Sequence, residues 1–205
     1  MNNKVILFFN GEVPTKVPNL SDYKKIYCTD GSYNYLKTLG IKPDVITGDF
    51  DSINITTFPA DTEIIITPDQ NYTDFEKVLQ IIVDQKFNSV DVFGASGKQQ
   101  DHFLGNLNAA YKFKSQLAIQ FFDNYSTYYF LNNTAKIKTK IKQKVSLVPF
   151  PIADGIITEG LMYPLKNESL DLIGRLGTRN EAISEEITIE FKTGDLLIYL
   201  INRIT

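Results

Sequence analysis

The sequence predicts an α/β domain with a mostly parallel sheet, followed by a smaller all-β domain. Up to about residue 130, short apolar runs without polar alternation are separated by segments of helical periodicity, which favours parallel strands covered on both faces. From residue 134, isoleucine alternates with lysine in KIKTKIK and helical periodicity stops, which is typical of strands with one wet face. We therefore expect the first domain to cover residues 1–133 and the second to cover residues 134–205.

The individual elements follow from the same patterns. Strands are expected at residues 4–9, 24–29, 44–47, 63–67, 89–94 and 117–123, and then at 134–150, 155–161, 186–191 and 195–201. Helices are expected at residues 32–40, 73–86 and 101–113, and a hairpin connection at 192–194. Gly40 ends the first helix where glycine is favoured, and Thr73 with Glu76 has the spacing of a capping box. One apolar face of the second helix is formed by Phe75, Val78, Leu79 and Ile82.

Composition excludes several classes of function. The chain has 205 residues and a formal net charge of -3, which argues against a broad electrostatic grip on nucleic acid. The single Cys28 cannot form an internal disulfide, and with the single His102 it cannot build the usual Cys/His zinc site. The N-terminal apolar run is too short for a signal peptide or a membrane span. We expect a soluble, cytoplasmic protein that uses metal-ion chemistry with oxygen ligands, or binding alone.

The segment GDFDS, residues 48–52, carries the most specific chemical signal. Asp49 and Asp51 follow a predicted buried strand, and residues two apart in an extended segment point the same way. Ligands of open parallel sheets bind at the carboxyl ends of the strands, so both carboxylates could converge on one Mg²⁺. The alternative is a solvated acidic turn, in which Asp51 or Ser52 caps the segment that follows.

Three further loops place acidic or amide residues at predicted strand ends. Asp69, Gln70 and Asn71 follow one strand, and Asp30 with Gly31 follows another. Asp74 would lie in the first turn of a helix, where the helix dipole alone explains an anion.

The third of these loops, GASGKQQDH at residues 94–102, is rich in glycine and precedes a helix. Gly94 and Gly97 allow a turn whose backbone N–H groups could bind phosphate. Asp101 and His102 could contribute to the same site, or could equally be ordinary residues of the first helical turn. Lys98 does not complete a Walker A motif, because Val92 stands where glycine is needed and Gln99 where a hydroxyl is needed. Taken together, the four loops favour a polyphosphate–Mg²⁺ site.

Several ordered segments resemble the thiamine pyrophosphokinase family. They are TDGSYNYLKTLGIKPDVITGDFDSI, DQNYTDFEKVLQ and GASGKQQDHFLGNL in the first part, and ITEGLMYPL and LGTRNEAIS in the second. Because these segments run in order from residue 29 towards the C-terminal strands, the resemblance covers nearly the whole chain.

The resemblance implies a Rossmann-like ATP-binding catalytic domain followed by a β-sandwich that binds thiamine and forms a homodimer, with the active site at the subunit interface. It implies transfer of a pyrophosphoryl group from ATP to the hydroxyl of thiamine, which yields thiamine diphosphate and AMP. The net charge and the short N-terminal apolar run lead us to expect no nucleic-acid or membrane partner. The implied catalytic and Mg²⁺-binding residues are Asp49, Asp51 and Asp74. The implied ATP-binding residues are Asp30, Gln70, Asn71, Thr73, Lys77, Gly94, Gly97, Asp101 and His102, and the implied thiamine-binding residues are Tyr163, Thr178 and Asn180.

Two positions depart from the family pattern. Arg179 stands where the family has serine, and a guanidinium pointing into the pocket would repel cationic thiamine, so we expect Arg179 to turn outward or to meet an anion. Tyr163 stands where some members have tryptophan; it can still stack on a cationic ring, or can be an ordinary strand-end aromatic. The competing functions are a pyrophosphokinase with another acceptor alcohol and a non-catalytic nucleotide or thiamine sensor.

Overall fold

The computed structural model describes residues 3–50 and 58–202, and the chain divides into two compact units. The first unit covers Met1–Asn124 and the second covers Tyr125–Thr205. The division between residues 133 and 134, expected from the change in strand pattern, stays a prediction. Asp51 and Ser52 lie outside the described residues.

The first unit alternates strands and helices. Its elements are β1 (Lys4–Phe8), β2 (Ile26–Thr29), α1 (Asp30–Thr38), β3 (Val45–Gly48), β4 (Glu63–Ile66), α2 (Asp74–Asp84), β5 (Ser89–Phe93), α3 (Gln100–Phe113) and β6 (Ala118–Phe122). The strands lie in the order β4-β3-β2-β1-β5-β6, and each described pairing among them is parallel. The chain therefore reverses its direction of strand addition between β1 and β5, which is where open parallel sheets place their ligand sites.

Helices cover both faces of this sheet. Phe121 of β6 contacts Phe75 of α2, with ring centroids 5.8 Å apart. The next residue, Phe122, stacks on Phe93 at 4.9 Å, and Phe93 belongs to the buried cluster that includes Leu36 of α1. Because adjacent residues of a strand point to opposite faces, α1 and α2 lie on opposite sides of the sheet.

The start of α2 has the predicted capping box. The Thr73 hydroxyl accepts from the backbone N–H of Glu76 at 3.2 Å, and the Glu76 carboxylate accepts from the backbone N–H of Thr73 at 3.1 Å. The predicted apolar face is also confirmed, since Phe75, Val78, Leu79 and Ile82 are all fully buried. The capping box fixes where α2 begins, and burial of this face fixes which side of α2 meets the sheet.

The first helix begins earlier than its sequence pattern predicts. α1 starts at Asp30, directly after β2, so Asp30 lies in a helical first turn. Thr29 is its N-cap, a position where threonine is favoured, although the Thr29 side chain makes no capping hydrogen bond. The C-terminal prediction is confirmed: Gly40 follows the C-cap residue Leu39 with φ of +67°.

The second unit is built almost entirely from strands. Its elements are β7 (Ser126–Phe130), β8 (Thr134–Lys138), β9 (Lys144–Glu159), β10 (Lys166–Asp171), β11 (Gly177–Glu181), β12 (Glu186–Glu190) and β13 (Thr193–Ile201). The long strand β9 pairs antiparallel with β10, β11, β12 and β13, while β8 pairs with β12 and β7 pairs with β13. Over the described chain the strand pairing is therefore mixed, with parallel pairs in the first unit and antiparallel pairs in the second.

Two features of the second unit differ from the sequence prediction. The hairpin at 192–194 is wrong, because β12 and β13 do not pair with each other and instead pair with different parts of β9. Residues 155–161 do not start a new strand, since β9 continues to Glu159. As expected, the described residues after 135 contain no helix, and no helix in the described ranges is long and apolar enough to cross a membrane.

Candidate active site

A cleft of about 210 Å³ lies in the first unit at the carboxyl ends of β1, β2 and β5. Segments that follow three strands meet there with the first residue of α2 and one side of α3. Its lining residues are Phe9, Asn10, Gly11, Thr29, Asp30, Gly31, Asp74, Gly94, Ala95, Ser96, Lys98, Gln99, His102 and Asn106. The cleft thus lies at the reversal of strand order, and it brings together the predicted residues Asp30, Asp74, Gly94 and His102.

Asp30 links the β2 end of the cleft to the β3 loop. Its carboxylate accepts from the backbone N–H of Gly31 at 2.6 Å and from that of Phe50 at 3.2 Å. Burial raises the pKa of the Asp30 carboxyl; the two backbone donors lower it, and the negative charges of Asp74 and Asp49 raise it further. Asp74 lines the cleft with Asp30, and Asp49 directly precedes Phe50, whose backbone N–H binds Asp30, so both charges act on this carboxyl.

Gly48 makes room for the Asp30 carboxylate. A Cβ atom at this position would collide with Oδ2 of Asp30, so only glycine permits the close approach of the β3 end to the start of α1. The glycine of the GDFDS segment therefore has a packing reason beyond turn formation.

The backbone of Phe50 does not have the extended conformation expected for the GDFDS segment. Its φ is +58°, in the left-handed region that costs a non-glycine residue roughly 1–2 kcal/mol. Its ring is buried and makes an edge contact with Phe58 at 5.7 Å between centroids. Ring burial stabilises this conformation, so the backbone is not extended at Phe50. Because Asp51 lies outside the described residues, the expectation that Asp49 and Asp51 converge stays a prediction.

The loop before α2 is ordered by Lys77. Its ammonium donates to the carbonyls of Thr67 at 2.8 Å and Asp69 at 3.2 Å, and it pairs with Oδ1 of Asp74 at 2.8 Å. An ammonium has three donors, so these contacts use all of them. Lys77 thus holds the loop and Asp74 in place, and only 9% of its side chain is exposed; its expected role in ATP binding stays a prediction.

The other predicted residues of this loop lie beside the cleft rather than along its lining. Gln70 reaches Oδ2 of Asp49 at 3.5 Å, at the limit of a hydrogen bond. Asn71 binds the carboxylate of Asp69 through both its backbone and side-chain nitrogens at 2.8 Å. Thr73 is occupied by the capping box. These contacts connect the loop after β4 to the loop after β3.

The glycine-rich loop after β5 is joined to the end of β1 by main-chain hydrogen bonds. Gly11 donates to the carbonyl of Gly94 at 2.6 Å, and Glu12 donates to that of Ser96 at 2.7 Å. A side chain at Gly11 would overlap the Gly94 carbonyl, so glycine permits this approach. On the other side, the buried Asn106 amide donates to the carbonyl of Ala95 at 2.8 Å.

Two predicted residues of this region do not line the cleft. Gly97 lies against the side chain of Glu12, and Asp101 accepts from the backbone N–H of His102 at 3.0 Å within the first turn of α3. The contact of Asp101 agrees with the local helix role that the sequence left open. Cys28 is fully buried in the sheet core, where burial raises the pKa of its thiol, and it does not line the cleft with His102.

The sequence prediction missed the end of β1 and the polar part of the β5 loop. Asn10 and Gly11 line the cleft directly after β1, and Ser96, Lys98 and Gln99 line it after β5. The signal was present in the sequence, since a buried strand followed by a polar residue and glycine is the pattern used for the other loops.

The carboxylates of the cleft suit a hard cation. Within residues 3–50 and 58–202, no three His, Cys, Asp or Glu side chains are arranged to hold a metal ion by themselves. Mg²⁺ commonly binds through one or two carboxylates and takes its other ligands from water and substrate phosphates. Asp49 and Asp74 near Asp30 provide oxygen donors and excess negative charge, so the described residues fit Mg²⁺ together with a phosphate ligand.

The residues predicted for thiamine belong to the second unit. The Asn180 side chain accepts from the backbone N–H of Tyr163 at 3.1 Å and donates to its carbonyl at 2.7 Å, which fixes the Tyr163 backbone. The Tyr163 side chain is 69% exposed, and Thr178 is exposed as well. Arg179 is also exposed, which agrees with its expected outward orientation, and it has a φ of +56°.

Known proteins match both parts of the chain. The family described as thiamin pyrophosphokinase, catalytic domain, matches residues 19–121, and the thiamin pyrophosphokinase vitamin B1 binding domain matches residues 134–196. Thiamin pyrophosphokinase 1 of Caenorhabditis elegans is 26% identical over 96% of this chain and 88% of its own length. Thiamine pyrophosphokinase of Bacillus subtilis is 27% identical over 95% of this chain and 97% of its own length.

The fold gives the same result. The crystal structure of thiamine pyrophosphokinase from Bacillus subtilis superimposes with a TM-score of 0.83 and 25% identity, covering 98% of this chain and 100% of that one. The family pattern for the catalytic domain alone spans half of the chain, and it includes Asp30, Asp49, Asp74 and His102. The chain belongs to the thiamin pyrophosphokinase family.

Proposed function

We propose that this chain transfers the pyrophosphoryl group of ATP to the hydroxyl of thiamine, giving thiamine diphosphate and AMP. The observation that carries the proposal is that Asp30 and Asp74 line one cleft, and that the charges of Asp74 and Asp49 both act on the Asp30 carboxyl, in a chain of this family. Loss of Asp49, Asp51 or Asp74 would favour a non-catalytic sensor, and the sequence retains all three.

The residue roles extend this proposal. Asp49, Asp51 and Asp74 hold Mg²⁺ and act in catalysis. The ATP-binding group consists of Asp30, Gln70, Asn71, Thr73, Lys77, Gly94, Gly97, Asp101 and His102. Of these, Lys77, Thr73 and Asp101 serve indirectly, because their contacts order the backbone around the site. Tyr163, Thr178 and Asn180 bind thiamine, with Asn180 acting through the Tyr163 backbone.

The chemistry is a displacement at the β-phosphorus of ATP. The oxygen of the thiamine hydroxyl forms a bond to this phosphorus, the bond to the α,β-bridging oxygen breaks, and AMP departs. Mg²⁺, when bound, neutralises charge on the phosphate oxygens. One carboxylate of Asp49, Asp51 or Asp74 accepts the hydroxyl proton, and the backbone contacts of Asp30 keep the β3 loop against α1 during the reaction.

The assembly proposed is a cytoplasmic homodimer with the active site at the subunit interface. Support comes from the second unit, which we propose to be a β-sandwich following a Rossmann-like first domain. Large apolar side chains are exposed there, among them Ile173 at 96% and Tyr163 at 69%. Exposed apolar groups of this size are typical of surfaces that a partner covers.

The test is formation of AMP from ATP and Mg²⁺ with and without thiamine. The wild type should form AMP only with thiamine, and Asp49→Asn and Asp51→Asn should lose this activity. Asp22→Asn, which removes an exposed carboxylate outside the cleft, should keep it. If AMP formed only with another alcohol, that alcohol and not thiamine would be the acceptor. If the protein bound nucleotide but formed no AMP with any acceptor, the result would favour a sensor.

A further inference from the structure

The cleft has one lysine or arginine among the described residues that line it, and this residue is Lys98. Its ammonium donates to the side-chain oxygen of Asn10 at 3.1 Å, across from the β5 loop to the end of β1. Lys98 is exposed, so its charge remains in contact with solvent and with whatever enters the cleft. The acidic residues Asp30 and Asp74 line the same cleft.

Asn10 is itself held in position by its surroundings. Its side chain lies against Gly31, where a Cβ atom would come within 2.5 Å of the Asn10 amide nitrogen. The next residue, Gly11, is bound to the Gly94 carbonyl. Asn10 is thus fixed between the start of α1 and the glycine-rich loop, and from there its oxygen directs the flexible Lys98 side chain over the cleft.

The other lysine of the region has no donor left for a ligand. The three N–H groups of the Lys77 ammonium contact Thr67, Asp69 and Asp74, and its side chain is nearly buried. A ligand phosphate could recruit Lys77 only by breaking contacts that order the loop before α2.

We propose that Lys98, directed by Asn10, binds the β- and γ-phosphates of the nucleotide, whereas Lys77 affects the reaction only by positioning Asp74. This inference rests on the proposed function, because it takes a nucleoside triphosphate as the ligand. A polyphosphate between Lys98 and the carboxylate-bound cation would have positive charge on both sides. Lys98 is then a substrate-binding residue and Asn10 is its positioning residue.

The experiment is calorimetric titration of the full chain with ATP and, separately, with AMP, without thiamine, in one buffer that contains Mg²⁺ and in one that contains no divalent metal. Lys98→Gln should weaken ATP binding roughly tenfold. This factor is the lower end of the range expected when a charged hydrogen-bond donor is lost, because Lys98 is exposed. It should leave AMP binding unchanged, because AMP lacks the β- and γ-phosphates. Lys98→Arg should restore ATP binding to within about threefold, since it keeps the charge.

Two further variants separate direct contact from positioning. Asn10→Ala should weaken ATP binding less than Lys98→Gln, and combining both changes should add little, because they act on one contact. Lys77→Gln should reduce the rate of AMP formation and its response to Mg²⁺, while ATP binding without metal stays near the wild-type value. Lys37→Gln removes an equal charge at the far end of α1 and serves as the control.

Each outcome decides between the two lysines. Equal ATP affinity in the wild type and Lys98→Gln would overturn the inference and leave the proposed function standing. Equal weakening of ATP and AMP by Lys98→Gln would also overturn it, as would a loss of metal-free ATP binding in Lys77→Gln that exceeds the loss in Lys98→Gln. A wild type that binds no ATP would overturn the proposed function together with this inference.

Discussion

The carboxylate of Asp30 accepts a hydrogen bond from the backbone N–H of Phe50 at 3.2 Å. This contact joins the first turn of α1 to the residue beside Asp49, across two parallel strands. Phe50 has a left-handed backbone whose N–H is directed at Asp30, and its ring is buried in the core behind. The acidic loop is thus held by a core aromatic on one side and by Asp30 on the other.

Asp30→Asn tests how the neighbouring charges affect stability. Burial, with Asp74 and Asp49, raises the Asp30 pKa in the folded chain. A raised folded pKa contributes stability that is complete below the unfolded value of about 3.9 and is lost as pH rises through the folded value. The free energy of unfolding of the wild type minus that of Asp30→Asn should therefore fall between about pH 4 and pH 7.

Urea unfolding at the two pH values measures this difference. Asp22→Asn, on an exposed residue, is the matched control and should show a smaller change with pH. A difference for Asp30→Asn that stays constant or grows as pH rises would contradict the charge arrangement described for the cleft.

Gly48→Ala tests the close approach of β3 to α1. The added methyl group would collide with the Asp30 carboxylate, so we expect kcat/KM for AMP formation to fall by roughly tenfold or more. Gly105→Ala is the control, because its Cβ meets nothing within 4 Å. It lies in α3 and should raise the free energy of unfolding by about 0.4–1 kcal/mol. Full activity in Gly48→Ala would show that the Asp30 position is not needed.

Thr73→Ala tests the capping box of α2. It removes the acceptor for the Glu76 backbone N–H and should lower the free energy of unfolding by about 1 kcal/mol. Thr73→Ser keeps the hydroxyl, so its free energy of unfolding should fall much less. Denaturant unfolding measures both variants, and equal stability of Thr73→Ala and wild type would mean that the cap contributes nothing to the folded chain.

Asn180→Ala tests the proposed thiamine region. Without the two contacts to the Tyr163 backbone, we expect KM for thiamine to rise several-fold while kcat changes little. Asn180→Asp keeps the acceptor but loses the donor to the Tyr163 carbonyl, and its KM should be intermediate. Unchanged KM values for thiamine in steady-state assays of both variants would show that Tyr163 is not part of the thiamine site.

Patterns within one segment predicted the elements of the first unit well. The capping spacing of Thr73 and Glu76, the apolar face from Phe75 to Ile82 and the glycine after α1 are all local signals, and the structure has all three. The start of α1 was predicted late although threonine is favoured at the N-cap and aspartate in the first turn, so Thr29 and Asp30 carried a signal that the prediction did not use.

Contacts between distant segments could not be obtained in this way. The predicted hairpin at 192–194 failed because β9 is long enough to pair with β12 at one end and β13 along most of its length. Lys77 matched the family motif, yet its direction was decided by the carbonyls of Thr67 and Asp69. Lys98 is directed into the cleft by its hydrogen bond to Asn10, which lies 88 residues earlier in the chain.

The most direct test of the account follows the β-phosphorus of ATP. Purified protein is given thiamine, Mg²⁺ and ATP labelled at the β-phosphorus, and the products are separated. Pyrophosphoryl transfer predicts that the label leaves with thiamine diphosphate, in equal amount to unlabelled AMP. Label retained in ADP, with thiamine monophosphate as the other product, would show transfer of the γ-phosphoryl group alone and would contradict the proposed function.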